Sequence, residues 1–135
     1  MDTNECYIYF ALDGDDFDMG KITEAIGIQP TDTIVNLKRG DEFPNYSSWQ
    51  YRSRKVVSEV IDVASLAKEL ILPLEDKIDQ INEVRIKYNL KARLEVVIWF
   101  TADDSQSTPA LGFDGDTINF LSKIGAYIDV DTYIH

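Results

Sequence analysis

Carboxylates and phenols are the side chains this chain offers for chemistry. Its 135 residues include 24 Asp and Glu and seven Tyr, but one Cys (Cys6) and one His (His135). A serine or cysteine nucleophile needs a histidine base held beside it, and His135, at the final position, is poorly suited to that part. A zinc site built from His and Cys lacks its donors. Neither phosphate-cradling pattern, G-x-x-x-x-G-K-[ST] or G-x-G-x-x-G, occurs. No catalytic residue is assigned, and no metal, nucleotide or other cofactor is expected.

Two acidic turns remain, Asp13-Gly-Asp-Asp-Phe-Asp18 and Asp114-Gly-Asp116. Carboxylate oxygens suit calcium or magnesium. Phe17, however, stands where an EF-hand loop needs a third ligand, and Gly14 is out of place. Capping a helix and complementing its positive end is the simpler role. Cys6 falls on an aliphatic strand face and reads as a buried, inert thiol. Lys38-Arg-Gly-Asp41 reads as a turn rather than an integrin-type signal. Arg52, Arg54 and Lys55, the one basic cluster, read as partners for nearby acids rather than as a phosphate site.

The elements that must position these groups begin with the longest helical pattern, from Asp62 to Tyr88. Val63, Leu66, Ala67, Leu70, Leu74, Ile78, Ile81, Val84 and Tyr88 form one apolar stripe at three- and four-residue steps. Asp62 can cap it and Asn89 can stop it. Pro73 lacks an N–H and crowds the preceding turn, so a kink or a split is expected there. The strand Ala92–Thr101 then alternates, with Ala92, Leu94, Val96, Ile98 and Phe100 opposite Arg93, Glu95, Val97, Trp99 and Thr101.

Before the long helix, the spacing predicts a strand over Cys6–Leu12 and a helix capped by Asp18, with Ile22, Ala25 and Ile26 inside and Gly27 as its stop. Strands follow at Thr33–Leu37 and Ser48–Val57. After it come a minor strand at Pro109–Phe113, a helix burying Ile118, Leu121 and Ile124, and a closing strand Ala126–Ile134. Phe10-Ala-Leu-Asp-Gly-Asp15 and Leu111-Gly-Phe-Asp-Gly-Asp116 echo one another and support a repeated strand-helix-strand plan. The expectation is one α+β domain over residues 1–135, a two-layer sandwich of ferredoxin-like character. Its mainly antiparallel sheet carries helices on one face.

Turning every aliphatic strand side toward the helices gathers Tyr7, Tyr9, Trp99, Tyr127 and Tyr133 on the far face, with Arg93, Glu95, Asp129 and Asp131 between them. Trp49 and Tyr51 are expected to join them. Aromatics with polar handles among charges suit recognition, and aromatic sheets can stack nucleobases. The net charge of -11 opposes that use, because nucleic-acid binding is driven by Lys and Arg. It also disfavours anionic membranes and favours a basic protein partner. The leading expectation is a non-enzymatic binding module using this face, in one version an immunity-like protein neutralising a basic toxin. A self-associating domain, and a small-ligand binder or enzyme using carboxylates and tyrosines of the same face, are the alternatives. The acidic first residues lack the pattern of a signal peptide, no apolar run could span a membrane, and a lone Cys precludes an internal disulfide, so a cytoplasmic location is expected.

Tyr7-Ile-Tyr-Phe-Ala-Leu-Asp-Gly-Asp-Asp16, Ile26-Gly-Ile-Gln-Pro-Thr31, Lys38-Arg-Gly-Asp41, Ser48-Trp-Gln-Tyr51 and Ile124-Gly-Ala-Tyr-Ile-Asp-Val-Asp-Thr-Tyr133 follow one another along the chain. Their order resembles a bacterial family of domains of unknown function, family 4279. The resemblance implies a small, usually free-standing protein with no established activity and carries over no catalytic residue.

Overall fold

The computed structural model describes residues 3–135; Met1 and Asp2, part of the acidic stretch at the start of the sequence, lie outside the described residues. The first strand, β1 (Glu5–Gly14), leads into α1 (Met19–Ile26), β2 (Asp32–Leu37), β3 (Tyr46–Arg52) and a short β4 (Val56–Val57). Then come α2 (Val63–Ile71), a 3-10 segment Leu72–Lys77, α3 (Ile78–Lys87), β5 (Lys91–Phe100), α4 (Gly115–Lys123) and β6 (Tyr127–Ile134).

The sheet runs in the order β2-β3-β1-β5-β6, with β4 pairing beside β1. Every pairing is antiparallel except β5 with β6, which is parallel. Strands β2, β3, β1 and β5 with α1 and α2/α3 reproduce the split strand-helix-strand arrangement of a ferredoxin-like sandwich. The α4–β6 unit adds one further strand at its edge. The fold is therefore α+β with an open sheet, and β2 and β6 are its edges.

All the helices pack on one face. Cys6, Ile8, Phe10 and Leu12 of β1 and Ala92, Leu94, Val96 and Ile98 of β5 share a buried cluster with Ile22 and Ile26 of α1, Leu66 and Leu70 of α2, Ile81 and Val84 of α3, and Phe120 and Leu121 of α4. Local chemistry sets the helix ends. The Asp18 carboxylate accepts from the Gly20 N–H at 2.8 Å, and Asp114 accepts from Thr117 N–H at 2.9 Å. Asp62 caps α2 through Ser65, with Ser65 Oγ at 2.8 Å. Pro73 divides the long helical pattern as expected, and the 3-10 turns there keep Leu74 inside. Gly27 ends α1 at φ 78°, a left-handed conformation that glycine adopts without steric cost.

Several expectations change. Trp49 and Tyr51 belong to the helix side, not the far face. In the register of β3 on β1, Trp49 is paired with Leu12 and Tyr51 with Phe10, and directly paired residues project to the same side. Trp49 is fully buried, meets Phe10 edge-on at 6.5 Å, and donates from Nε1 to Thr23 Oγ1 of α1 at 3.0 Å. The expected strand Ser48–Val57 is interrupted at Ser53, whose Oγ accepts from the Ile8 N–H, before β4 resumes along β1.

Pro109–Phe113 is not a strand; it makes a single bridge, Ala110 with Asp62. The echo between the two acidic turns thus extends to the capped helices only. In α4 the buried stripe is Thr117, Phe120, Leu121 and Ile124, leaving Ile118 exposed. A threonine inside that stripe concealed its 3.6-residue period. Ala25 is also exposed on α1.

Candidate functional site: an acidic and aromatic sheet face

The face of the sheet opposite the helices is built by strand alternation alone. Tyr7, Tyr9, Ala11 and Asp13 project there from β1, and the register places Val97, Glu95, Arg93 and Lys91 of β5 beside them. Next along are Tyr127, Asp129, Asp131 and Tyr133 of β6, paired with Arg93, Glu95, Val97 and Trp99. Ser48, Gln50 and Arg52 of β3 complete the other side, opposite Asp13, Ala11 and Tyr9.

Arg93 is the centre of this face, with its side chain only 11% exposed. It meets Asp13 as a two-pronged fork, Nε donating to Oδ2 at 2.8 Å and Nη2 to Oδ1 at 3.1 Å. It also donates to Glu95 Oε1 at 2.5 Å, to Tyr9 Oη at 3.2 Å and to Tyr46 Oη at 3.0 Å. Asp13 Oδ1 further accepts from Tyr46 Oη and Ser48 Oγ. Burial opposes the guanidinium charge, but Asp13 first, then Glu95 and Tyr9, hold its pKa above the ordinary arginine value.

A rail of rings crosses the strands from this hub. Tyr9 and Tyr7 lie 6.3 Å apart, Tyr7 and Trp99 5.9 Å, and Trp99 and Tyr133 5.3 Å. Cations cover three of these rings: Arg93 over Tyr9, Arg52 over Tyr7 and Lys55 over Trp99, each between 5.3 and 5.5 Å from the centroid. The basic cluster seen in the sequence is thus spent internally, as expected. Lys55 also pairs with Glu5 at 3.1 Å, Arg54 with Glu69 at 2.9 Å and Arg52 with Asp32 at 3.7 Å.

This arrangement divides the face. Over β1 and the centre of β5 it is closed: Ala11, Glu95 and Val97 are buried. Over the edge strand β6 it is open, with Tyr127 and Tyr133 each 49% exposed beside the exposed Asp129. Eight expected site residues are brought together: Tyr7, Tyr9, Arg93, Glu95, Trp99, Tyr127, Asp129 and Tyr133. Trp49 and Tyr51 are excluded by register. Asp13, Tyr46 and Ser48 were missed. Asp13 shares the parity of Tyr7 and Tyr9, which was the available signal, although its place in an acidic turn drew attention to capping. Of that turn only Asp18 caps a helix.

Glu95 is the unusual ionisable group. Its side chain is 1% exposed, and Oε2 accepts no hydrogen bond. Burial, and then the Asp131 carboxyl beside it, push its pKa up to about 7 against the pull of Arg93. Two ionised carboxylates cannot donate to one another, so a proton held between Glu95 and Asp131 would supply the missing donor. The sign for stability follows. An acid whose folded pKa lies above its unfolded value contributes most below the unfolded value, and the contribution is lost as pH rises to about 7 and beyond. Glu95→Gln, which keeps the shape without the charge, should flatten that loss, by on the order of 1–3 kcal/mol between about pH 5 and 8. Urea unfolding across that range in the presence of a chelator measures it, and parallel pH profiles for both proteins would refute it. Cys6, by contrast, is a buried thiol whose pKa burial raises to about 11, as its aliphatic face predicted.

Among the described residues, no helix is long and apolar enough to cross a membrane. No curated protein and no solved structure matches the chain. A family model does match, covering residues 4–135, nearly the whole sequence and all of the face built above. The chain belongs to the family described as domain of unknown function DUF4279.

Proposed function

We propose that this protein is a binding module that receives a basic protein partner on the open, β6 half of its sheet face. The observation that carries the reading is the contrast within that face. The rings and carboxylates over β1 and β5 are held by internal cations, whereas Tyr127, Asp129 and Tyr133 on the edge strand remain exposed. Half-exposed tyrosines offer large contact area at low entropic cost. Carboxylates between them, on a chain of net charge -11, attract and orient a cationic surface. The same charges disfavour self-association through this edge, since two copies would bring Asp129 and Asp131 against their equivalents. Neutralisation of a basic toxin is one form of this reading, supported by charge and size. A cytoplasmic location accords with the lone, buried Cys6.

The alternative, a small-ligand binder or enzyme, draws on Glu95, whose pKa near neutrality would suit a general acid. Its carboxyl is nearly inaccessible and bonded to Arg93, which favours the binding role.

Trp99 stacks beside the exposed Tyr133 on the neighbouring strand, at 5.3 Å and 22° between ring planes. Trp99→Ala should therefore weaken partner binding by more than about 1 kcal/mol, and Tyr133→Ala by a similar amount. Ile118→Ala, on the exposed side of α4, should leave it unchanged. The measurement is titration calorimetry with a basic protein captured by the wild type, preceded by sedimentation to test for dimers. Equal affinity in all three variants, or a dimer abolished by Trp99→Ala, would rule out the proposed surface or its occupant.

A further inference from the structure

Asp129 and Asp131 are two residues apart on β6, so both project to the far face, and Asp129 is paired directly with Glu95 of β5. One carboxylate oxygen from each of the three lies within 4.8 Å of the other two. A cation coordinated at about 2.3–2.6 Å, as calcium is, can bridge oxygens separated by up to about 5 Å; magnesium, at about 2.0–2.1 Å, needs them within about 4.2 Å. Calcium's longer bonds can therefore reach these oxygens as they stand.

A second observation is independent of the clustering. Glu95 is 1% exposed; Arg93 occupies Oε1, the buried Oε2 has no protein donor, and the Asp131 carboxyl within reach of Glu95 is itself an acceptor when ionised. A buried carboxylate oxygen left without a partner is costly, and a bound cation is one of the few groups that satisfies it. The local charge points the same way. Arg93 pairs with Asp13 and Glu95, and its fork is committed to Asp13, whereas Asp129 and Asp131 cluster with Glu95 and have no salt bridge among the described residues. The acidity of the remaining carboxylates is not neutralised by Arg93 alone.

We propose that Glu95, Asp129 and Asp131 form a binding site for a hard divalent cation of calcium's size, with water completing the coordination shell. The site lies at the boundary between the closed and open halves of the face. Arg93 acts as a positioning residue, fixing Glu95 through Oε1 so that Oε2 is the oxygen left for the ion. No His or Cys ligand and neither acidic turn takes part in this site. These oxygens come instead from two strands brought together by the parallel pairing of β5 and β6.

The test uses the purified chain alone, so it is independent of any protein partner. Chelator-stripped protein is titrated with calcium while its melting midpoint is followed, and terbium luminescence sensitised by Trp99 and Tyr133 is read in parallel. Calcium should raise the midpoint with half-saturation at about 0.1–1 mM, the range of weak open sites, and should displace terbium. Magnesium should need roughly tenfold higher concentration, given its stricter geometry. The double variant Asp129→Asn/Asp131→Asn should lose both signals. Asp15→Asn/Asp16→Asn, in the acidic turn after β1, should retain them. The proposal is overturned if the Asp129/Asp131 variant responds like the wild type, which would mean diffuse binding. It is equally overturned if the wild type shows no saturable response at several millimolar calcium, which would leave a proton as the group that satisfies Glu95.

Discussion

Arg93→Ala should cost about 3–5 kcal/mol of folding stability near pH 8, the loss expected when one member of a buried ionic network is removed. The cost lies in what remains behind rather than in the pair itself. Asp13 and Glu95 have side chains 14% and 1% exposed, and without Arg93 both must be accommodated with no counter-charge. Tyr9 and Tyr46 would also lose the guanidinium they meet. A domain of this size has about 5–15 kcal/mol in all, so the variant should sit close to its unfolding threshold. The penalty should shrink toward pH 5, because Glu95, with a pKa of about 7, is then protonated and needs no cation. Arg93→Lys should recover only part of the loss, since an ammonium cannot form the two-pronged contact with Asp13. Urea unfolding at two pH values decides the matter. A loss below about 1 kcal/mol at pH 8 would place Arg93 among surface ion pairs of little consequence.

Trp49→Ala should be comparably severe, at about 3–5 kcal/mol, the range for deleting a large aromatic from a core. Trp49 is fully buried, packs edge-on against Phe10, and ties β3 to α1 through its bond to Thr23. Trp49→Phe should keep most of the packing and lose that hydrogen bond, costing about 1 kcal/mol beyond the volume change. Had Trp49 lain on the far face, as the sequence suggested, alanine would cost little, because surface substitutions usually stay within about 0.5 kcal/mol. The urea midpoint of each variant, with an unchanged denaturant slope, distinguishes the two placements. The two largest effects therefore lie on opposite sides of one sheet, one in an apolar core and one in a buried polar network.

The elements were legible because they are local. Asp18, Asp62 and Asp114 announce helix starts through carboxylates that can reach first-turn N–H groups, and Pro73 breaks a helix by its own covalent structure. Alternation on β1, β5 and β6 likewise grouped Tyr7 with Tyr9, Glu95 with Trp99, and Asp129 with Tyr133 before any strand was paired. Alternation states which residues share a side of their own strand; it does not state which side of the sheet that is. On β3 the side opposite Trp49 and Tyr51 carries Ser48, Gln50 and Arg52, so alternation favoured the aromatics as core, and the register of Trp49 on Leu12 turns them inward. The fork from Arg93 to Asp13, the burial of Glu95 and the meeting of Asp129 and Asp131 with it were decided in the same way. Each depends on strand neighbours remote in sequence, and such pairings are selected by the packing of the whole sheet against its helices rather than by any short stretch of chain.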